Sequence, residues 1–150
     1  MMLNRLIYIL IIFSTILIAD IKVLNKSTSK SFIIKTLKGE KKTYISTRDL
    51  VSALSSRLYE NLERKKLVLY ISGRRIKISS GTSFLIIDDV PYQMVDIVQE
   101  YKGDFYLPAE NFFEIIKKTT IPGLFYDKRK EILDIDIVRY SVKSLNIEQK

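Results

Sequence analysis

The chain contains neither cysteine nor histidine. Without cysteine no disulfide can staple the fold, and no thiolate can act as nucleophile or metal ligand, so stability must come from ordinary apolar burial. Without histidine the commonest general base is missing, and with it His-dependent triads and ordinary zinc and copper centres. A glycine-rich phosphate cradle, a nucleophile elbow and a nucleic-acid module are also absent from the pattern of residues. The sequence therefore predicts a chain with no catalytic residues, no metal site and no cofactor.

What is present suits a globular protein. Of 150 residues 47% are hydrophobic and 28% charged, enough apolar material for a real core and too much for a disordered chain. Lysine and arginine number 25 against 17 acidic residues, and the pI is about 9.6. Residues 1–5 supply a short positive stretch through Arg5, and residues 6–19 are apolar except for Ser14 and Thr15. As a helix that run spans about 20 Å, short of the roughly 30 Å hydrocarbon core of a bilayer, so it reads as a signal peptide. Cleavage is expected after Ala19; Leu17 stands where a small residue is preferred, and an uncleaved anchor is the alternative. No lipobox cysteine accompanies it. An exported basic surface meets anionic lipid headgroups, envelope polymers or peptidoglycan carboxylates before it meets nucleic acid.

Residues 20–31 are rich in Lys, Asn, Ser and Thr and read as a tether. From Phe32 the chain alternates: residues 32–37 and 43–45 read as strands around a Lys38-Gly39-Glu40 turn. Ser46 or Thr47 can then cap a short helix whose apolar face is Leu50, Val51 and Leu54. Residues 67–71 and 76–78 form a predicted hairpin across Ser72-Gly73, and residues 84–87 and 90–94 a second across Asp88-Asp89. Pro91 has no amide hydrogen, which puts its strand at a sheet edge or at its own start.

The second half echoes the first. Lys102-Gly103-Asp104 follows Lys38-Gly39-Glu40, Tyr106-Leu107 follows Tyr44-Ile45, and Phe112, Phe113 and Ile116 match Leu50, Val51 and Leu54. Pro108 stands where its fixed φ can open the second helix. Lys66-Leu67-Val68-Leu69 finds a counterpart in Glu131-Ile132-Leu133-Asp134, and residues 132–138 read as a last strand. The fold class expected is α+β: two related strand-helix-strand repeats, about residues 32–78 and 95–138, with β-hairpins, and a tail or linker over 139–150.

These residues resemble a known family. Tyr44-Ile45-Ser46-Thr47-Arg48-Asp49-Leu50 and Tyr106-Leu107-Pro108-Ala109-Glu110-Asn111-Phe112, each followed by an aromatic-acidic pair, Tyr59-Glu60 or Tyr126-Asp127, are similar to the copper amine oxidase-like N-terminal domain, or stalk domain. Ser46 replaces the family's Pro, Glu110 its Arg, and neither helix ends in the family's Gly. The runs from Leu58 to Tyr70, from Tyr106 to Glu110 and from Tyr126 to Asp136 look like the N-terminal region of bacterial N-acetylmuramoyl-L-alanine amidases. The resemblance, over residues 32–138, implies a non-catalytic accessory or targeting module of a cell-wall hydrolase, or a fragment of one. The amidase's zinc ligands would require histidines that this chain lacks, and the copper of the family name implies none here.

Candidate contacts are few. Arg74, Arg75 and Lys77 beside a hairpin turn are the expected contact to an anionic polymer, since guanidinium groups grip carboxylate or phosphate bidentately. Strand-edge cations that discourage aggregation are the competing reading. Lys128-Arg129-Lys130 and Arg64-Lys65-Lys66 lie at matching places in the repeats and read as soluble loops, while Tyr44 and Tyr106 read as half-buried packing residues. Asp134 and Asp136 share a strand face that solvent explains, and Asp88-Asp89 is better a turn than a cation site. Expected partners are peptidoglycan or another anionic envelope polymer, or a hydrolase domain; nucleic acid is not expected, and a membrane only through an uncleaved anchor. Two other functions are distinguishable: a membrane-tethered module recognising an envelope protein through a sheet edge, and a glycan hydrolase built on two facing carboxylates.

Overall fold

The computed structural model describes residues 20–26, 28–39 and 41–136. The expected signal segment 1–19, the tail 139–150, Glu40 of the first turn and the last residues of the expected 132–138 strand lie outside these residues. Period-two alternation dominates the described chain, and the fold is mostly β: 50% strand and 16% helical, in three sheets with two helices. The expectation of an α+β fold of strand-helix-strand repeats is therefore corrected. The helices are short, and the segments after them that the sequence left unassigned, residues 57–61 and 124–127, are strands.

The strands are β1 (Ile21–Asn25), β2 (Lys30–Ile34), β3 (Thr36–Lys38), β4 (Thr43–Ser46), β5 (Arg57–Asn61), β6 (Lys66–Ile71), β7 (Arg74–Ser79), β8 (Phe84–Ile87), β9 (Val90–Gln93), β10 (Gln99–Tyr101), β11 (Asp104–Pro108), β12 (Leu124–Asp127) and β13 (Ile132–Ile135). Helix α1 (Thr47–Ala53) follows β4, and α2 (Ala109–Thr119) follows β11. The sheets run β12-β13-β1-β2, β10-β11-β4-β3 and β5-β6-β7-β8-β9.

The second of these sheets is central. Its strands β4 and β11 pair antiparallel, with Tyr44 opposite Pro108, Ile45 opposite Leu107 and Ser46 opposite Tyr106. The echoed residues are thus related by an approximate two-fold axis through the Ile45–Leu107 pair. All five residues of β11 are buried, so both faces of that strand are covered. Helix α1 packs on β4, β11, β2 and β5, and α2 on β4, β11 and β12, which joins the central sheet to both others. One cluster of buried side chains runs through the three sheets, including Ile21, Leu50, Leu69, Ile76, Phe105, Phe112 and Leu133.

Local chemistry explains both helix starts and the first helix's end. Ser46 caps α1: its Oγ accepts the amide of Asp49 at 3.2 Å, satisfying one of the donors a helix start leaves unpaired. Asp49 in turn accepts the amide of Lys35 at 2.9 Å, and Asp20 that of Thr36 at 3.2 Å, where the chain passes from β2 to β3. That passage divides what reads in the sequence as a single strand. Helix α1 stops at Ser55, whose φ of 51° is left-handed, and the amide of Ser56 returns to the carbonyl of Val51. Helix α2 has Pro108 as its N-cap, with no side-chain cap, and is held by the buried face of Ala109, Phe112, Phe113 and Ile116.

Two further expectations change. Residues 20–31, expected as a tether, contain β1 and the start of β2; Ile21 and Val23 are fully buried, and their alternation with Lys22 is hidden by the polar composition around it. The matching of Lys66-Leu67 with Glu131-Ile132 is off by one residue. Leu67 and Leu69 are buried, and so are Leu133 and Ile135, whereas Ile132 is only partly so. A one-residue slip exchanges the faces of a strand, and burial identifies Leu133 as the partner of Leu67.

Candidate binding surface

The five-stranded sheet presents one face to the core and one outward. Inward point Leu67, Leu69, Ile71, Ile76, Ile78, Leu85 and Ile87, all buried. Register places the alternate residues in rows across the outer face: Tyr59, Val68, Lys77, Ile86 and Pro91 in one, Arg57, Tyr70 and Arg75 in the next. Tyr59 is 58% exposed and meets Tyr70 edge-on, with ring centroids 5.7 Å apart. The guanidinium of Arg57 lies 5.5 Å over the Tyr70 ring, a cation–π contact. Lys66 and Phe84 lie on the same face toward its other end.

Of the three cations singled out in the sequence, Arg75 and Lys77 belong to this outer face, and Arg74 stands at the start of β7. All three meet the turn Asp88-Asp89 between β8 and β9, the edge strand that carries Pro91. Arg74 pairs with Asp88 at 2.8 Å, and the Arg75 amide donates to the same carboxylate at 2.9 Å. Asp89 receives Arg75 at 2.9 and 3.1 Å and Lys77 at 2.8 Å. The hydrogen bond from Arg74, then that from the Arg75 amide, holds the Asp88 carboxyl below its ordinary range. Lys77, through its hydrogen bond and its charge, does the same for Asp89. Both turn residues have positive φ, 46° and 70°, the conformation that closes a two-residue hairpin.

Other candidates are absorbed by structure. Asp134 pairs with Lys26 at 2.7 Å, and the Asp136 amide donates to Gly123. Lys128 reaches Glu110 on α2 at 2.8 Å. Tyr44 and Tyr106 pack as expected but are buried rather than half-buried, and desolvation raises the Tyr106 phenol above its usual range. Asp104 is the one buried acid among the described residues: Ser46 and Thr47 donate hydroxyls to it, and the Phe105 amide adds a third hydrogen bond. So satisfied, that carboxylate ties β11 to the start of α1. Among the described residues no group of three or more His, Cys, Asp or Glu side chains could hold a metal ion, and no helix is long and apolar enough to cross a membrane.

Sequence reasoning missed Arg57, Tyr59 and Tyr70 as members of one surface. Their signal was alternation: in β6 the sequence Lys-Leu-Val-Leu-Tyr-Ile buries every second residue, and the register with β5 sets Tyr59 beside the unburied positions. No protein-family model, curated protein or solved structure matches this chain.

Proposed function

We propose that this protein is a non-catalytic, exported cell-envelope module that contacts an anionic wall polymer through the outer face of its five-stranded sheet. The carrying observation is that face: exposed Tyr59 with Arg57, Arg75 and Lys77 on the same side of one sheet. The stalk-domain resemblance adds the biological setting, an accessory or targeting region of a cell-wall hydrolase similar to N-acetylmuramoyl-L-alanine amidase. The apolar run of residues 6–19 supports export, and the excess of eight positive charges suits a wall rich in carboxylates.

Retention on purified peptidoglycan tests the reading. The purified chain is expected to sediment with the polymer at about 20 mM salt and to be released near 0.5 M, because exposed charges are screened as the Debye length shrinks. No retention at low salt overturns direct wall contact.

A further inference from the structure

We infer that the outer face of the five-stranded sheet binds a carboxylate-bearing glycan, and that Asp89 occupies the carboxylate position when the ligand is absent. The inference deepens the wall-polymer reading and rests on it for its biological setting, though its chemistry is independent. Asp89 defines the site: one carboxylate is held at once by Arg75 through both oxygens and by Lys77, cations two residues apart on β7. A guanidinium and an ammonium converging on one point form a receptor for a carboxylate, whichever molecule supplies it.

The resident carboxylate is replaceable. Its side chain is 68% exposed, and pairs so exposed contribute little because solvent screens them. An external carboxylate that also gains a second contact therefore displaces it. The second contact is in Lys77's own row, where Val68 lies directly between Lys77 and the exposed Tyr59. Apolar Val68 beside an aromatic side chain suits the face of a sugar, and two strand spacings of about 4.8 Å each put Tyr59 roughly 10 Å from Lys77. Arg57, two residues from Tyr59 on β5, is placed to meet a further anionic group of the same chain.

A nucleic acid fits less well. Single-strand binding uses successive rings as a stacking platform, and here one face of Tyr70 is already covered by Arg57. A charge-only polyanion would make no use of Tyr59.

Binding of the full chain to three soluble probes, measured by calorimetry at one low salt concentration, separates these outcomes. Polygalacturonate carries one carboxylate per sugar, poly-L-glutamate one per amino acid, and oligo(dT) phosphates with bases. Polygalacturonate is expected to bind at least tenfold tighter than poly-L-glutamate. Asp89→Asn is expected to tighten polygalacturonate about twofold to fivefold by removing the internal competitor. Lys77→Gln should weaken both carboxylate polymers, while Tyr59→Ala should weaken polygalacturonate roughly tenfold and leave poly-L-glutamate unchanged. Equal affinity for the two carboxylate polymers, no response to Tyr59→Ala, or preference for oligo(dT) overturns the inference. Circular dichroism of each variant confirms that it is folded, which these exposed positions favour. Polygalacturonate binding without retention on peptidoglycan would sink the wall reading and leave the glycan site standing; the reverse would sink the site alone.

Discussion

Asp104 and Ser46 show how much one polar contact can organise. Ser46 Oγ accepts from the Asp49 amide and donates to Asp104, so the same hydroxyl starts α1 and satisfies a buried acid. Ser46→Ala removes the cap and one hydrogen bond to Asp104, and is expected to cost about 1–3 kcal/mol of unfolding free energy in urea titration. Asp104→Ala leaves two buried hydroxyls short of an acceptor, and the double variant should lose less than the sum of the singles because both remove one shared contact. Ser55 makes the opposite prediction. It holds a left-handed φ just past the end of α1, at a strain of roughly 1–2 kcal/mol, against about 0.4–1 kcal/mol of extra unfolded-chain entropy for glycine. Ser55→Gly should therefore stabilise the protein by a few tenths to about 1 kcal/mol, read from the same titration.

Between elements, ion pairs tie each helix to the segment that follows it. Arg48, second residue of α1, forms a bidentate pair with Glu60 of β5 at 3.0 Å through both nitrogens. Glu110, second residue of α2, pairs with Lys128 just after β12. Each helix is thus anchored through its second residue with the charges exchanged, although Lys128 follows β12 and corresponds to Asn61 rather than to Glu60. Arg48→Glu should destabilise by up to about 1 kcal/mol, and adding Glu60→Lys should restore most of the loss, since exposed pairs contribute no more than this. The β8–β9 turn carries the pH prediction. Asp88 and Asp89 have folded-state pKa values depressed below 3.8, so their contribution is present above the ordinary carboxylate range and is lost as pH falls through the depressed values. The melting temperature of the Asp88→Asn, Asp89→Asn variant is expected to lie below that of the parent at pH 7 and to converge on it in acid, once both carboxylates are protonated.

For the whole molecule, the sequence was informative about segments and silent about their assortment. Ser46, Ser72-Gly73 and Asp88-Asp89 announced a helix start and two turns because a capping hydroxyl and a tight turn are decided within four residues. Strands β5 and β12 were missed because Arg-Leu-Tyr-Glu-Asn and Leu-Phe-Tyr-Asp alternate over too few positions to stand out. Nothing local says that β5 joins a five-stranded sheet while β12 joins β13, β1 and β2; long-range pairing made that choice, and with it the mostly-β class. The candidate surface was legible only as three cations, since its aromatic half is assembled by the register of β5 on β6. Phe112, fully buried in the cluster shared by all three sheets, gives the global test. Phe112→Ala is expected to cost about 3–5 kcal/mol and to lower the stability of every sheet together, seen as one cooperative transition by amide exchange and fluorescence alike.

Strands β1 and β13 lie parallel, with Lys22 beside Ile132 and Asn25 beside Ile135. The polypeptide therefore comes into β1 at one end of the ladder and leaves β13 at the other, roughly 13 Å away along the strand axis. Tension applied through the two flanking segments would pull these strands past each other lengthwise, so the hydrogen bonds between them, with Lys22 to Glu131 and Lys26 to Ile135 at the margins, would bear the load together rather than open one at a time. A module built this way is suited to transmit force along its chain.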